Sequence, residues 1–190
     1  MRNQQTDEFE KVVYYWSEPV ELGGITYDVT MASSKKGLCW LNIGEQGSEE
    51  QDLQAWVEKF LPGWALIKNQ AMNNQVVVEF REYLRGQRTE FTVPLHRVGT
   101  DFQIKVWQEL SRIPYGVTCS YGDVAERIGC HGGQRAVGLA NSKNPIGIVV
   151  PCHRVIGKNG SLTGYAGGLD KKALLLQLEA QHRIIPNDAI

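Results

Sequence analysis

The chain has 190 residues, of which 42% are hydrophobic and 22% charged, and its formal net charge is −1. This composition predicts a globular protein of one large or two small domains and argues against a protein that coats nucleic acid through bulk positive charge. No apolar run follows the early Arg2, and the later apolar runs are short, so we expect a cytoplasmic protein with no export signal or membrane anchor.

The first half of the sequence is typical of a mixed β-sheet with helices. Strands are predicted at residues 12–16, 25–32 and 38–43, with a further extended run at residues 89–94. Residues 49–60 form a predicted helix, because their apolar side chains recur at helical spacing on one face. These side chains are Leu53, Trp56, Val57 and Phe60. A second helix is expected to end at Gly86.

The predicted elements change around residues 96–99 from a mixed sheet with helices to mainly helices. We place a domain boundary there, between domains 1–98 and 99–190. Residues 1–100 carry 10 lysines and arginines against 14 acidic residues, whereas residues 101–190 carry 10 against 7. A polyanionic partner would therefore meet the second domain. The expected fold class is α/β (α+β), with an N-terminal mixed sheet-plus-helix domain followed by a mainly helical domain that contains a helix-turn-helix.

The helical domain begins with Thr100, a predicted N-cap for a helix whose apolar side comprises Phe102, Val106, Trp107 and Leu110. Ser120 and Asp123 have capping-box spacing at the start of a short helix that continues to Ile128. A break at residues 130–133 precedes a further helix at 134–142. This pattern resembles a helix-turn-helix, although short helical pairs are common in proteins that never touch DNA.

The second helix of this pair has small residues at Ala136, Gly138 and Ala140, with Arg135 at its start. Small residues allow a helix to approach another surface closely, and the arginine could reach into a groove. Close helix packing with a solvated arginine explains the same pattern equally well.

The four cysteines, Cys39, Cys119, Cys130 and Cys152, lie far apart, which argues against a zinc knuckle or a disulfide scaffold. The apolar run at residues 146–150 has the length of a buried strand and leads directly to Cys152. His153 and Arg154 follow it, and both could favour the thiolate form of Cys152. The alternative is an inert buried thiol beside a histidine of the core.

Residues 144–155 read N-P-I-G-I-V-V-P-C-H-R-V, and residues 164–168 read G-Y-A-G-G. Together with the helix pair ahead of them, these strings resemble the methylated-DNA–protein-cysteine methyltransferases, also called O6-alkylguanine-DNA alkyltransferases. The resemblance is dense from Gly99 to Glu179 and thins to general layout in residues 1–98. It implies direct, irreversible, stoichiometric transfer of an alkyl group from O6 of guanine in DNA to a cysteine. It leaves open whether O4-alkylthymine is a substrate.

The resemblance also implies roles at matching positions. Cys152 would accept the alkyl group, and His153, bridged to Cys152 by water and paired with Glu179, would draw off its proton. Glu179 lies on a leucine-rich helix that starts near Asp170. Tyr121 would help to rotate the nucleotide out of the duplex and would protonate the leaving guanine at N3.

The remaining transferred roles concern DNA and the guanine pocket. Arg135 would fill the vacated stack, on a recognition helix that also presents Ala136 and Gly138. Asn144 would join that helix to the active-site strand. Backbone groups near Cys152, Val155 and Ala166 would read the guanine edge, and Tyr165 would wall the pocket. The implied partner is double-stranded alkylated DNA, bound in the minor groove with little sequence specificity and without an obligate protein partner.

Two alternative functions explain fewer of these sequence features. A helix-turn-helix regulator or lesion-binding module would leave Cys152 as a structural residue. A papain-like thiol hydrolase would need a distant histidine, but His96, His131 and His182 lie in no recognisable context. Some relatives carry an N-terminal zinc site, whereas the first half of this chain offers Cys39 and His96 alone, so we expect no metal and no cofactor.

Overall fold

The computed structural model describes residues 11–45, 47 and 49–182. Its first half is built on a four-stranded sheet of order β3-β2-β1-β4, in which β1 runs antiparallel to β2, β2 antiparallel to β3, and β1 parallel to β4. The strands are β1 (Val12–Leu22), β2 (Ile25–Ser34), β3 (Gly37–Gly44) and β4 (Ala65–Lys68), and the helices of this half are α1 (Glu49–Phe60), a 3₁₀ turn (Ala71–Asn73) and α2 (Asn74–Leu84). The three predicted strands are confirmed, each with a longer span, and α1 has the predicted bounds.

The second half is mainly helical, which confirms the predicted fold class. It contains α3 (Asp101–Leu110), α4 (Tyr121–Arg127), α5 (Gln134–Ser142) and α6 (Leu169–Gln181), with a short parallel pair of β5 (Cys119–Ser120) and β6 (Val155–Ile156). Thr100 caps α3 and the capping box of Ser120 and Asp123 opens α4, as predicted, and Thr100 also forms a complete capping box with Gln103. Gly129 and Gly132 have φ of 69° and 75°, and this left-handed backbone turns the chain from α4 into α5.

Two predicted extended segments are wrong. Residues 146–150 are buried, but they form successive turns with Ile148 at φ 70°. The segment meets β3 only through an isolated bridge between Leu41 and Ile146, in which the amide of Gly147 bonds to the carbonyl of Leu41 at 2.8 Å. Beyond this bridge, the amide of Val150 bonds to the carbonyl of Ile146 at 3.0 Å and the side chain of Asn144 donates to the carbonyl of Val150 at 2.8 Å, so local groups satisfy the backbone there. Residues 89–94 also lack a strand, and the chain there meets β3 only through an isolated bridge between Leu38 and Leu95.

Two residues assigned to buried helix faces are partly exposed, since Phe60 is 39% and Phe102 is 36% exposed. Both stand in terminal turns, where a helix extends beyond the surface on which it packs. The larger of the two apolar clusters includes sheet residues such as Met31 and Leu41 together with Trp107 of α3 and Cys152. The segment that carries Cys152 therefore lies in the core that joins the two halves. No described helix is long and apolar enough to span a membrane.

Candidate functional site

Cys152 opens a 3₁₀ turn, Cys152–Arg154, directly after the buried run of residues 146–150. The turn is fixed by hydrogen bonds from the amide of Cys152 to the carbonyl of Val150 at 2.8 Å and from the amide of Arg154 to the carbonyl of Pro151 at 3.0 Å. Cys152 is 5% exposed and His153 is completely buried. The thiol is thus held in a buried turn whose backbone is fixed by local hydrogen bonds.

Glu179 of α6 is the centre of a buried hydrogen-bond network around this turn. Its carboxylate lies 2.8 Å from His153 Nε2 and accepts hydrogen bonds from Arg154 Nε and Nη2, both at 2.9 Å. The hydroxyl of Tyr83 donates to the same carboxylate at 2.8 Å, and the amide of Gly116 donates to it at 2.9 Å. Three separate segments of the chain therefore converge on one side chain that is fully buried.

The protonation states follow from these contacts. Burial alone would raise the pKa of Glu179, but the hydrogen bonds and charges of His153 and Arg154 outweigh it and lower the pKa to about 2. Burial lowers the pKa of His153, and Glu179 opposes that effect only in part. His153 is therefore neutral at pH 7 and donates from Nε2 to the carboxylate. Its Nδ1 atom is then an acceptor, and it is buried without a hydrogen-bond partner in the described structure.

The Cys152 thiol is protonated at rest. Burial raises its pKa, whereas the side-chain amide of Asn144 and the charge of Lys172 act in the opposite direction without full compensation. Arg154, which the sequence suggested as a cationic neighbour of the thiol, instead binds Glu179 and donates to the carbonyl of Ile113 at 2.6 Å. The positive charge that acts on the thiol comes from Lys172.

Lys172 and Tyr121 tie together the segments beside the thiol. The ammonium of Lys172 donates to the carbonyls of Val155 at 2.6 Å and Thr163 at 2.8 Å, and it lies 5.9 Å from the centre of the Tyr121 ring. The Tyr121 hydroxyl donates to the same Thr163 carbonyl at 2.8 Å. Burial raises the pKa of Tyr121, so its hydroxyl keeps its proton at pH 7.

The α5 helix presents an exposed surface next to this site. Arg135 and Ala136 are exposed, and Arg135 has no hydrogen bond or ion pair with any described residue. A Cβ atom on Gly138 would lie 3.8 Å from the Tyr121 ring, which places this glycine against the tyrosine. Small side chains on this face allow close approach to another surface, and Arg135 extends from its first turn.

The other predicted pocket residues lie around the end of α5. Asn144 holds the acceptor segment through its bond to the carbonyl of Val150. A groove of about 760 Å³ separates α5 from α1, and Asn144, Ala166 and the exposed Leu139 line it. Tyr165 is partly buried and packs against the larger apolar cluster. The structure thus brings Tyr121 and Asn144 close to the thiol and leaves Ala166 exposed in the adjoining groove.

Sequence reasoning missed Lys172 and Tyr83, and it gave Arg154 the wrong contact. A signal for Lys172 was present, because Lys172, Leu175 and Glu179 follow the i, i+3, i+7 spacing of one helix face and all three are buried. Tyr83 lies 96 residues before Glu179, and no local pattern links them. Among the described residues, no group of three or more histidine, cysteine or acidic side chains could hold a metal ion.

Comparison with known proteins yields one consistent family. Residues 21–96 match the domain described as "6-O-methylguanine DNA methyltransferase, ribonuclease-like domain", and residues 101–181 match "6-O-methylguanine DNA methyltransferase, DNA binding domain". The inducible methylated-DNA–protein-cysteine methyltransferase of Bacillus subtilis is 45% identical over 172 residues, which cover 90% of this chain and 93% of that protein. Its counterpart in Mycobacterium leprae is 48% identical over 148 residues, or 76% of this chain and 88% of that protein.

A crystal structure of Mycobacterium tuberculosis OGT in complex with DNA is similar to most of the chain. It has a TM-score of 0.74 and 40% sequence identity, and the match covers 89% of this chain and 94% of that one. Both halves of the fold are therefore shared with a protein that has been crystallised on DNA.

Proposed function

The chain belongs to the 6-O-methylguanine DNA methyltransferase family, and from this membership we propose that it repairs alkylated DNA by moving the alkyl group from O6 of guanine to Cys152. The product is a thioether, and none of the site's residues is placed to cleave it. Each chain therefore acts once. The thiol must stay reduced until it reacts, and all four cysteines are free, which supports action in the cytoplasm.

The observation that carries the proposal is the arrangement of Cys152, His153 and Glu179. A buried neutral thiol attacks carbon slowly, because the thiolate is the nucleophile. Next to Cys152 in the chain, His153 has an Nδ1 lone pair without a hydrogen-bond partner among the described residues, and Glu179 holds the imidazole ring through Nε2. We infer that Cys152 loses its proton to His153 Nδ1 through one bridging water. Glu179 then stabilises the imidazolium that forms.

The transfer step is an in-line displacement. The Cys152 sulfur forms a bond to the alkyl carbon as the bond from that carbon to O6 breaks, and the electron pair stays on the guanine. Tyr121 supplies a proton to N3 of the leaving guanine, and the proton taken from Cys152 replaces it. The carbonyls of Cys152 and Val155 retain a second lone pair with which to accept from the guanine amino group, although Asn141 and Lys172 already bond to them.

DNA would bind along α5. O6 of a paired guanine lies inside the stack, so a buried thiol can react only after the nucleotide leaves the duplex, at a cost of a few kcal/mol. Arg135 is exposed, unpaired with any described group and carried on a helix face of small residues, which suits insertion into the space that the base vacates. Such contacts predict minor-groove binding to duplex DNA with little sequence specificity.

The decisive experiment is mass spectrometry of the intact protein after mixing with duplex DNA that contains O6-methylguanine. We expect one added methyl group per chain, mapped by peptide sequencing to the peptide containing Cys152. The rival lesion-binding module would bind the same DNA and gain no mass. Release of more than one unmodified guanine per chain would exclude a single-turnover reaction.

A second experiment tests the role of Arg135. Arg135→Ala should slow repair of duplex DNA far more than reaction with free O6-benzylguanine, since only the duplex requires its vacated stack to be filled. Arg127→Ala, on the preceding helix α4, serves as the matched control. Equal losses on both substrates would assign Arg135 to the fold or to the thiol instead.

A further inference from the structure

A second cavity, of about 430 Å³, lies outside the alkyl-transfer machinery. Its walls come from the segment 89–97 between the two halves, from the turn at residues 111–115, and from the acceptor segment at residues 148–154. Cys152 and His153 do not line it, whereas Pro151 and Arg154 do. The cavity therefore borders the acceptor turn without opening onto the thiol.

Two polar atoms of its lining residues are buried and unpaired. The Nε atom of Arg97 and the hydroxyl of Tyr115 have no hydrogen-bond partner among the residues that the structure describes. The other side-chain contact of Arg97 is a hydrogen bond from Nη2 to Ser111 Oγ at 3.2 Å. A buried polar group without a partner is costly, and a buried charge more so. Both orphaned groups are able to donate.

The charges around the cavity are unevenly compensated. Arg154 is neutralised by Glu179 at 2.9 Å, and Arg112 pairs with Glu109 at 2.8 Å. Arg97 has no carboxylate within 4.0 Å among the described groups, and Glu90, the one acidic residue of the lining, is exposed. Arg97 is half-buried, and although burial lowers its pKa, a guanidinium stays protonated at pH 7. The site is thus short of one negative charge.

We propose that this cavity binds a small anion with a carboxylate or phosphate head, which accepts hydrogen bonds from Arg97 and from the hydroxyl of Tyr115. A guanidinium fork matches the oxygens of either head group. The lining also includes apolar side chains, Phe91, Val93 and Ile113 among them, which would accommodate a short apolar body.

The ligand would also act on the acceptor turn. The guanidinium of Arg154 lies 5.6 Å from the centre of the Tyr115 ring, and Arg154 holds Glu179. An anion that fixes Tyr115 restrains this pair, so occupancy should stabilise the folded protein. The site does not depend on alkyl transfer, and its failure would leave the proposed function intact.

Nuclear magnetic resonance titration of the full chain tests the site, with inorganic phosphate and benzoate as separate probes at constant ionic strength. At least one probe should give saturable shifts of the backbone amides of residues 112, 113, 115 and 116, with a dissociation constant of about 1 mM, as expected for a ligand of few atoms. Saturation by benzoate alone would identify a carboxylate with an apolar body, and saturation by phosphate alone would identify a phosphate.

Variants separate this site from general salt effects. Arg97→Gln and Tyr115→Phe should each weaken binding at least tenfold, whereas Arg112→Gln, whose side chain is 76% exposed at the rim, should change it less than twofold. Retained alkyl transfer by Arg97→Gln would show that this variant is folded. Shifts that do not saturate with either probe, or equal affinity in Arg97→Gln, Tyr115→Phe and the unmodified chain, would overturn the proposal.

Discussion

Two buried cysteines, one in each half of the molecule, differ in the polar groups around them, and this difference supports Cys152 rather than Cys39 as the proposed alkyl acceptor. Cys39 lies on β3 inside the smaller apolar cluster and is 0% exposed. Its thiol donates to the carbonyl of Ala32 at 3.3 Å, and burial raises its pKa to about 12. Among the described residues, no basic side chain forms a hydrogen bond with this thiol.

Cys152 is nearly as buried, and burial raises its pKa as well, but polar groups surround it. Asn144 and Lys172 favour the thiolate, and His153 provides an acceptor held in place by Glu179. The low dielectric constant of the protein interior strengthens these hydrogen bonds and charge interactions, and it also makes an unpaired buried charge costly. The comparison shows that burial raises the pKa of both thiols, while only Cys152 has a buried polar network beside it, which is the basis on which we propose it as the nucleophile.

The largest expected effect is the complete loss of alkyl transfer in Cys152→Ala, because no other group of the site can accept the alkyl carbon. Cys39→Ala, the matched substitution in the sheet, should transfer at the unmodified rate. Mass spectrometry with methylated duplex DNA measures both. Methyl groups appearing on Cys39, Cys119 or Cys130 in Cys152→Ala would contradict this assignment.

Glu179→Gln should slow transfer by about 10²–10⁴-fold, the usual range for general acid–base assistance. His153→Ala should have a similar effect, and the double variant should be little slower than either, since members of one relay act non-additively. Single-turnover kinetics on the three proteins, at a temperature where circular dichroism shows all of them folded, provides the measurement. Additive losses would remove the relay from the mechanism.

The same carboxylate predicts a pH dependence of stability. The pKa of Glu179 in the folded protein, about 2, lies below its ordinary value, so its ionised form stabilises the fold above about pH 4.5, and this contribution is lost as pH falls toward 2. Unfolding by urea between pH 5 and pH 3 should show a steeper loss of stability in the unmodified chain than in Glu179→Gln. Parallel slopes would contradict the lowered pKa.

The packing of each element explains which parts of the structure could be predicted from the sequence. Alternation and helical spacing predicted β1 to β3 and α1, because each of these elements packs one face on an apolar core. The same logic failed at residues 146–150, which are apolar because they are buried, while Asn144, the carbonyl of Leu41 and local turns satisfy their backbone. The buried hydrogen-bond network around Glu179 could not be predicted from local patterns for another reason. It forms only through tertiary contacts, which bring together Tyr83, Gly116 and Glu179.

Lys172→Met should reduce transfer at pH 7 by about tenfold, because the thiolate of Cys152 loses the nearby positive charge that lowers the pKa of its thiol. Burial lowers the pKa of Lys172 itself to about 8. Its charge is therefore present at pH 7 and disappears as the pH rises through 8, so the advantage of the unmodified chain should shrink above that pH. Rates of transfer to O6-benzylguanine from pH 6.5 to pH 9.5 test this expectation.

Lys171→Met is the control, because Lys171 is the neighbouring lysine on α6 and its ammonium bonds to the carbonyl of Gly167 at 3.0 Å, away from the thiol. This variant should keep the unmodified pH profile. A pH-independent loss in Lys172→Met would show that Lys172 serves only to hold the carbonyls of Val155 and Thr163.

The smallest effect concerns the inert member of the pair. Cys39→Ala removes one sulfur atom from the cluster formed by Val13, Trp40, Leu53 and Trp56 and leaves a small cavity, which should lower the free energy of unfolding by about 1 kcal/mol. Cys39→Ser should cost more, although serine is closer in shape, because its hydroxyl is a stronger polar group in an apolar site that supplies a single carbonyl acceptor. Urea unfolding of the two variants gives the order. If Cys39→Ser were the more stable, the surroundings of Cys39 would be polar enough to support a thiolate, and the contrast with Cys152 would have to rest on His153 alone.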